Sequence, residues 1–211
     1  MFAAASLTRV FPQVDPRATY TFGGSNQLEA QIEQGAPADV FAAASPKQPA
    51  ALYAKGLIEK PVQFATNRLV LIVPRANPGH VRSVRDLLRP GIKLVVCAAS
   101  VPCGDYARTA LANLAMTRAL RNVVSQTTDV TQTVAEVALG QADAGFVYIT
   151  DARAAGARVH VVALPARAKP NTSDFIAVVR HGRTGAARAF VRLVLSARGQ
   201  SVLRAAGFGP P

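Results

Sequence analysis

The sequence predicts an α/β chain with mainly parallel sheets, and three observations carry that expectation. Apolar runs of strand length alternate with amphipathic segments of helical period from one end to the other. Several strand-to-helix junctions carry small residues and hydrogen-bond donors, where α/β sheets place their ligands. The two apolar runs at 68–73 and 175–179 read as crossovers between two lobes. Lobe 1 is then residues 1–72 plus 174–211, and lobe 2 is the inserted stretch 73–173. No internal repeat or low-complexity segment interrupts the pattern.

The first strand is expected from Phe2 to Ala5, and FAAASLT ends it with Ser6 and Thr8. In the following RVFPQVDPRATY, Pro12 and Pro16 stop any helix after about one turn. TYTFGGSNQLEAQIEQG then runs from a strand, Ala18 to Phe22, into a helix, Gln27 to Gln34. Leu28 and Ile32 share one face of that helix and Gly35 stops it. Gly23 and Gly24 leave the backbone free to take positive φ, and Ser25 stands where an N-cap belongs. Such a start offers unpaired N–H groups and the positive end of a dipole, which suits an anion. A turn that merely caps the helix is the commoner use of the same motif.

Val40 to Ala43 is the next strand, ending at Ser45, with a helix from Pro49 to Lys55 behind it. Arg68 to Val73 and Lys93 to Cys97 are strands on either side of a helix at Ser83 to Leu88. CAASVPCGDYA leads through Pro102, Cys103 and Gly104 into a helix reaching Leu114. TTDVTQTV opens the helix Val130 to Leu139 with a D-x-x-Q capping pattern, Asp129 to Gln132. Gly145 to Tyr148, Val159 to Ala163 and Phe175 to Val179 complete the strands, and one long helical stretch, Ala186 to Ala206, closes the chain.

Composition removes several function classes. Half of the 211 residues are apolar and 17% charged, so the chain is neither disordered nor fibrous. Its net charge of +12 favours anionic partners. Yet Arg75, Arg82, Arg85, Arg89 and Arg108 are scattered, with no basic run interleaved with aromatics, so nucleic acid is not expected. RLVLIVP and KLVVCAA are strand-sized, far short of a membrane span. A serine hydrolase would need a base for Ser6 or Ser25, but His80, His160 and His181 stand in no elbow or triad-like motif. No metal-ligating or catalytic constellation is present, and no cofactor is implied. The opening MFAAAS lacks the basic start and apolar stretch of a secretion signal. A trimmed mature form with an added Met, a misplaced start and a cytoplasmic protein all fit that opening.

FAAASLT, FGGSNQLEAQIEQGAPADVFAAAS, NRLVLIVP, ASVPCGDYA and GQADAGFVYITDA together resemble the periplasmic molybdate-binding proteins of ABC transporters. The resemblance runs from residue 2 to about 208, in the family's order and nearly its spacing. It implies a two-lobed periplasmic-binding-protein fold, each lobe a mainly parallel sheet flanked by helices, with the ligand cleft between lobes. It implies a receptor, not an enzyme, that takes molybdate or tungstate and hands it to a membrane permease. A monomeric, extracytoplasmic protein is implied with it. Carried over by position, the ligand contacts are the hydroxyls of Ser6 and Ser25, the backbone N–H groups of Cys103 and Val130, and the phenol of Tyr148. Relatives mostly have a small residue at the place of Cys103, and the contact there is a main-chain one. Relatives also carry a full helix where this chain has only RVFPQVDPRATY. Two other readings stay open, a receptor for sulfate or another oxyanion and the ligand-sensing half of a transcription regulator.

Cys97 and Cys103 are the two cysteines, and they bracket the loop that presents one of these N–H groups. A disulfide across CAASVPC is expected, which presupposes an oxidising compartment. The alternative is a reduced pair, Cys97 in a strand and Cys103 in the loop.

Overall fold

The structure, a computed structural model, describes residues 1–169 and 171–211. In chain order its elements begin with β1 (Phe2–Ala4), α1 (Phe11–Val14), β2 (Thr21–Gly23), α2 (Ser25–Glu33), β3 (Val40–Ala43), α3 (Lys47–Ala54) and β4 (Val62–Pro74). They continue with β5 (Leu94–Cys97), α4 (Pro102–Asn113), β6 (Val123–Thr127), α5 (Val130–Ala138), β7 (Ala144–Tyr148), α6 (Ile149–Ala155) and β8 (Val159–Val162). The last are β9 (Asn171–Val178), α7 (Thr184–Leu195) and α8 (Ala197–Ala206). The chain forms two compact units, Met1–Asn67 with Thr172–Pro211 and Arg68–Asn171. It leaves the first unit within β4 and returns to it at the start of β9.

In the first unit β1 lies between β2 and β3 and runs parallel to both, while β9 pairs antiparallel with β3. Phe2, Phe41, Leu28, Ile32, Leu52 and Ile58 bury one continuous core between this sheet and α2 and α3. Leu28 and Ile32, four apart, supply the buried stripe of α2. In the second unit β5 lies between β6 and β7, parallel to both, and β4 runs antiparallel to β7 and to β8. The sheets are therefore mixed rather than mainly parallel. A strand's direction follows from the neighbour it finds, and β4 and β9 are not joined to their neighbours by a crossover helix.

Several elements differ from expectation, among them α6, where no helix was expected, and β4 and β9, which begin earlier than expected. β6 was not anticipated, because VVSQT shows only a weak alternation and exposes Val124. The C-terminal stretch is two helices, since Ser196 breaks it and caps α8 by accepting from Gly199 N–H at 3.2 Å. Ser83–Leu88 is a 3-10 turn over Val84–Leu88, with the Ser83 hydroxyl donating to Asp86 at 3.1 Å.

Pro12 lies in the first turn of α1, which ends at Val14 after a single turn, as the prolines required. What holds this short connection is an aromatic cluster. Phe11, fully buried, meets Phe64 at a centroid distance of 5.9 Å and Phe190 edge-on at 5.4 Å. Tyr20 stacks on Phe22 at 5.4 Å, and its hydroxyl lies 3.0 Å from Phe11 O and 2.8 Å from Asp15 O. Burial, with Asp15 nearby, pushes the Tyr20 phenol up to about 12, so it stays a donor at all ordinary pH. One side chain thus ties both ends of α1.

In the second unit α5 packs closely on β7 and β5. A Cβ on Gly145 would stand 2.8 Å from Val95 Cγ1 and 2.9 Å from Thr133 Cγ2 and Val137 Cγ2. Gly145→Ala should therefore lower stability by about 1–3 kcal/mol by overpacking, read as a shifted urea midpoint with an unchanged slope. Phe11→Ala should cost about 3–5 kcal/mol in the same measurement, because it empties the centre of the aromatic cluster. A loss below about 1 kcal/mol would show that the cluster does not hold the short connection.

Candidate functional site

Parallel strands deliver their carboxyl ends to one edge of a sheet, and the residues just beyond those ends form the binding crevice of α/β proteins. In the first unit the register sets Ala4 opposite Gly23, and Ala3 opposite Ala42. The chain beyond β1, β2 and β3 therefore brings Ser6, Ser25 and Ala44 to the same edge. Ser6 sits in a 3-10 turn over Ala5–Leu7, and its buried hydroxyl has no hydrogen-bond partner. Ser25 is 1% exposed and is the first residue of α2, with Gly24 as the N-cap. Its hydroxyl is thus free of the capping role expected of it, and Gly24 is extended, with φ of −62°. Ser25 Oγ instead accepts the Ala44 N–H at 3.2 Å, which occupies an acceptor site and leaves the hydroxyl proton free to donate.

In the second unit the same arrangement recurs. β5, β6 and β7 feed α4, α5 and α6, so Cys103, Val130 and Tyr148 follow the carboxyl ends of three mutually parallel strands. α4 starts at Pro102 with no side-chain cap, and Cys103 is its second residue, where helix geometry supplies no partner for the N–H. Val130 is the first residue of α5. Asp129 caps that helix by accepting Gln132 N–H at 3.0 Å, which leaves the Val130 N–H outside the cap. The Gln132 side chain turns back to Thr128, accepting its N–H at 3.3 Å, so the D-x-x-Q pattern forms a close relative of a capping box. Tyr148 is 2% exposed at the end of β7, its ring edge-on to Tyr106 at 6.5 Å.

Gly104 shows how tightly α4 is seated. A Cβ there would run into the carbonyls of Cys97 and Ala98. Arg108 reinforces the junction by donating to Cys97 O and Gly104 O, each at 3.0 Å.

The expected bridge between Cys97 and Cys103 is absent, and both residues are buried free thiols. The two thiols hydrogen-bond each other, and each has a further partner. Cys103 donates to Phe146 O at 3.1 Å, and Cys97 lies 3.5 Å from Thr133 Oγ1. Hydrogen bonding to Cys97 and burial push the Cys103 thiol well above its usual value, which keeps it protonated and unreactive. The three histidines are exposed. Among the described residues no group of three or more His, Cys, Asp or Glu could hold a metal ion, and no helix is long and apolar enough to cross a membrane.

Two participants escaped the sequence reading. Ala44 contributes only a backbone N–H, so no side-chain pattern marks it. Asp151 accepts Tyr148 N–H at 3.1 Å through Oδ2, and desolvation pushes its pKa up to about 7. The Y-x-x-D spacing in AGFVYITDA was the available signal, since an acid at the third helical position caps backward onto the residue before the helix.

Residues 13–209 match the family described as bacterial extracellular solute-binding protein. Over its whole length the chain is 38% identical to the molybdate-binding protein ModA of Mycobacterium tuberculosis, of which it covers 84%. It is 30% identical to the molybdate-binding protein ModA of Haemophilus influenzae, over 99% of this chain and 88% of that one. In fold it is similar to the periplasmic molybdate-binding protein of Azotobacter vinelandii, with a TM-score of 0.86, 24% identity, and 100% and 98% of the two chains covered. With a family match across nearly all of its length and relatives of this identity over whole chains, the protein belongs to the bacterial extracellular solute-binding proteins.

Proposed function

We propose that the protein is the extracytoplasmic receptor of an ABC transporter, and that it binds molybdate or tungstate for delivery to a membrane permease. The donors are the Ser6 and Ser25 hydroxyls in the first unit, and the Cys103 and Val130 N–H groups with the Tyr148 phenol in the second. The observation that carries this reading is the state of the two serines. Ser25 has its oxygen engaged by Ala44 N–H and its proton free, and Ser6 is buried without a partner. Buried hydroxyls without an acceptor are costly unless a ligand supplies one. The names of the relatives, both molybdate-binding, point to the same ligand.

The chemistry fits an anion that only accepts. Molybdate is fully deprotonated near neutral pH and presents four acceptor oxygens, which neutral hydroxyls and amides can satisfy without a counter-charge. Monohydrogen phosphate brings a donor of its own, and a shell of donors leaves that proton unpaired, a loss of about 1–3 kcal/mol. Sulfate has no such proton, so size must separate it from molybdate.

Calorimetric titration with molybdate, tungstate, sulfate and phosphate tests the reading. One molybdate or tungstate per chain should bind, with phosphate far weaker; equal affinity for phosphate would refute the donor-only shell. Ser25→Ala removes one hydrogen bond to a charged ligand, about 1.5–3 kcal/mol, or roughly ten- to a hundredfold in affinity. Tyr148→Phe should lose a similar factor. Ser6→Ala should weaken binding likewise, and an unchanged affinity would place the Ser6 hydroxyl outside the ligand shell.

A further inference from the structure

The second unit sets carboxylates beside the groups assigned to the anion. Asp129 caps α5 immediately before Val130, and the Asp151 carboxylate accepts the backbone N–H of Tyr148. α5 packs against α6, which brings the charge of Asp129 to bear on Asp151. Cys103, at the start of α4, lies in the field of the same Asp151 carboxylate. A dianion bound at Tyr148, Val130 and Cys103 therefore arrives next to two groups of its own sign.

A cation stands near, Arg108, whose charge bears on Cys103, but it makes no ion pair with Asp151. Among the described residues no Lys, Arg or His forms an ion pair with Asp151. Of the charged groups on neighbouring elements, Arg108 of α4 is committed to Cys97 O, Gly104 O and Gln126. Glu136 of α5 accepts from Ser125. Arg158, beyond α6, donates to Ala155 O. Arg153 of α6 and His160 of β8 are exposed. Asp129 already accepts from Gln132 N–H and from its side chain, at 3.0 and 3.2 Å. Asp151 accepts the Tyr148 N–H, and desolvation raises its carboxyl pKa to about 7. It is the group that can yield.

Resting on the receptor reading above, we propose that Asp151 is the proton-binding residue of this site, taking up a proton as the oxyanion binds beside Tyr148. Protonation removes the like charge while the second carboxyl oxygen still accepts the Tyr148 N–H. The ligand-free carboxyl already titrates near neutrality, with a pKa of about 7, so the proton comes at little cost. The sign follows from linkage. The bound anion raises the Asp151 pKa above its ligand-free value, so the protonated form binds more tightly. Affinity is highest and constant below about pH 7, falls by at most tenfold per pH unit above it, and levels off past the pKa of the complex. Binding at pH 8 takes a proton from the buffer, and binding at pH 6 takes almost none from it.

The test is calorimetric titration of the full chain with molybdate between pH 6 and 9, in pairs of buffers with different ionisation heats. The expected result is a substantial fraction of a proton taken up per molybdate at pH 8, with affinity several-fold higher at pH 6.5 than at pH 8.5. Asp151→Asn keeps an oxygen to accept the Tyr148 N–H and cannot titrate. It should bind molybdate at least as tightly as the wild type at pH 8.5, with a flat pH profile and that proton uptake lost. Tight wild-type binding without proton uptake, or an Asn variant that keeps the wild-type profile, would overturn this inference and leave the receptor reading standing. Absence of molybdate binding at every pH would overturn the receptor reading and this inference with it. Should the Asn variant fail to fold, the Asp151 carboxyl carbon shift of the wild type decides. A titration midpoint unmoved by saturating molybdate overturns the proposal, and an upward movement supports it.

Discussion

Parallel pairing of β1 with β2 and β3, and of β5 with β6 and β7, is the constraint on which the remaining features depend. A parallel neighbour must be reached by a crossover, so each strand in these trios feeds a helix or turn that starts at the same edge. Six chain segments thereby present their first residues at two strand edges, one in each unit. Helix starts have unpaired N–H groups by geometry, and serine hydroxyls placed there add to the donors. The collection of donors is thus a consequence of strand direction. The antiparallel strands β4 and β9 add no such starts; they carry the chain between the units.

The electrostatics of these edges contrast with those of the whole chain. A net charge of +12 sits mostly on exposed arginines, where it can draw anions toward the protein from solution. The assigned donors are neutral, and in the second unit carboxylates adjoin them, Asp129 just before Val130 and Asp151 on the Tyr148 N–H. Neutral donors discriminate by proton count, which a lysine or arginine would not do, because a cation attracts phosphate and molybdate alike. Those carboxylates orient the helix starts that present the donors, and the same proximity couples them to any anion bound there.

The short connection after Ser6 is a single turn held by Phe11 against Phe64 and Phe190, and by the Tyr20 hydroxyl on two carbonyls. Aromatic area thus does the packing that so short a helix cannot. The turn that holds Ser6 is buried throughout and is closed by Thr8 N–H on Ala5 O at 3.2 Å.

Much of the architecture was legible because it rests on local periodicity and capping chemistry. The stripe of Leu28 and Ile32, the Asp129 cap and the stop imposed by Pro16, which holds Asp15 extended, act within one or two turns of chain, so their residues carry the information. β6 was invisible because an edge strand needs few apolar residues, and its pairing to β5 is a long-range choice. The break at Ser196 was hidden because the helical period continues across it. Of the two roles expected of Ser25, the cap is not taken up, since a cap depends on local backbone whereas its partner, Ala44, lies 19 residues away. Cys97 and Cys103 are close in sequence, yet the folded chain holds them as free thiols that hydrogen-bond each other, with Thr133 and Phe146 O as further partners. The sequence by itself determined the α/β class, most of the helices and strands, and the residue types suited to an acceptor-only anion, because each is written in neighbouring residues. Tertiary structure alone decided strand direction, the free proton of Ser25 and the desolvation of Asp151, because each depends on which distant group the folded chain brings alongside.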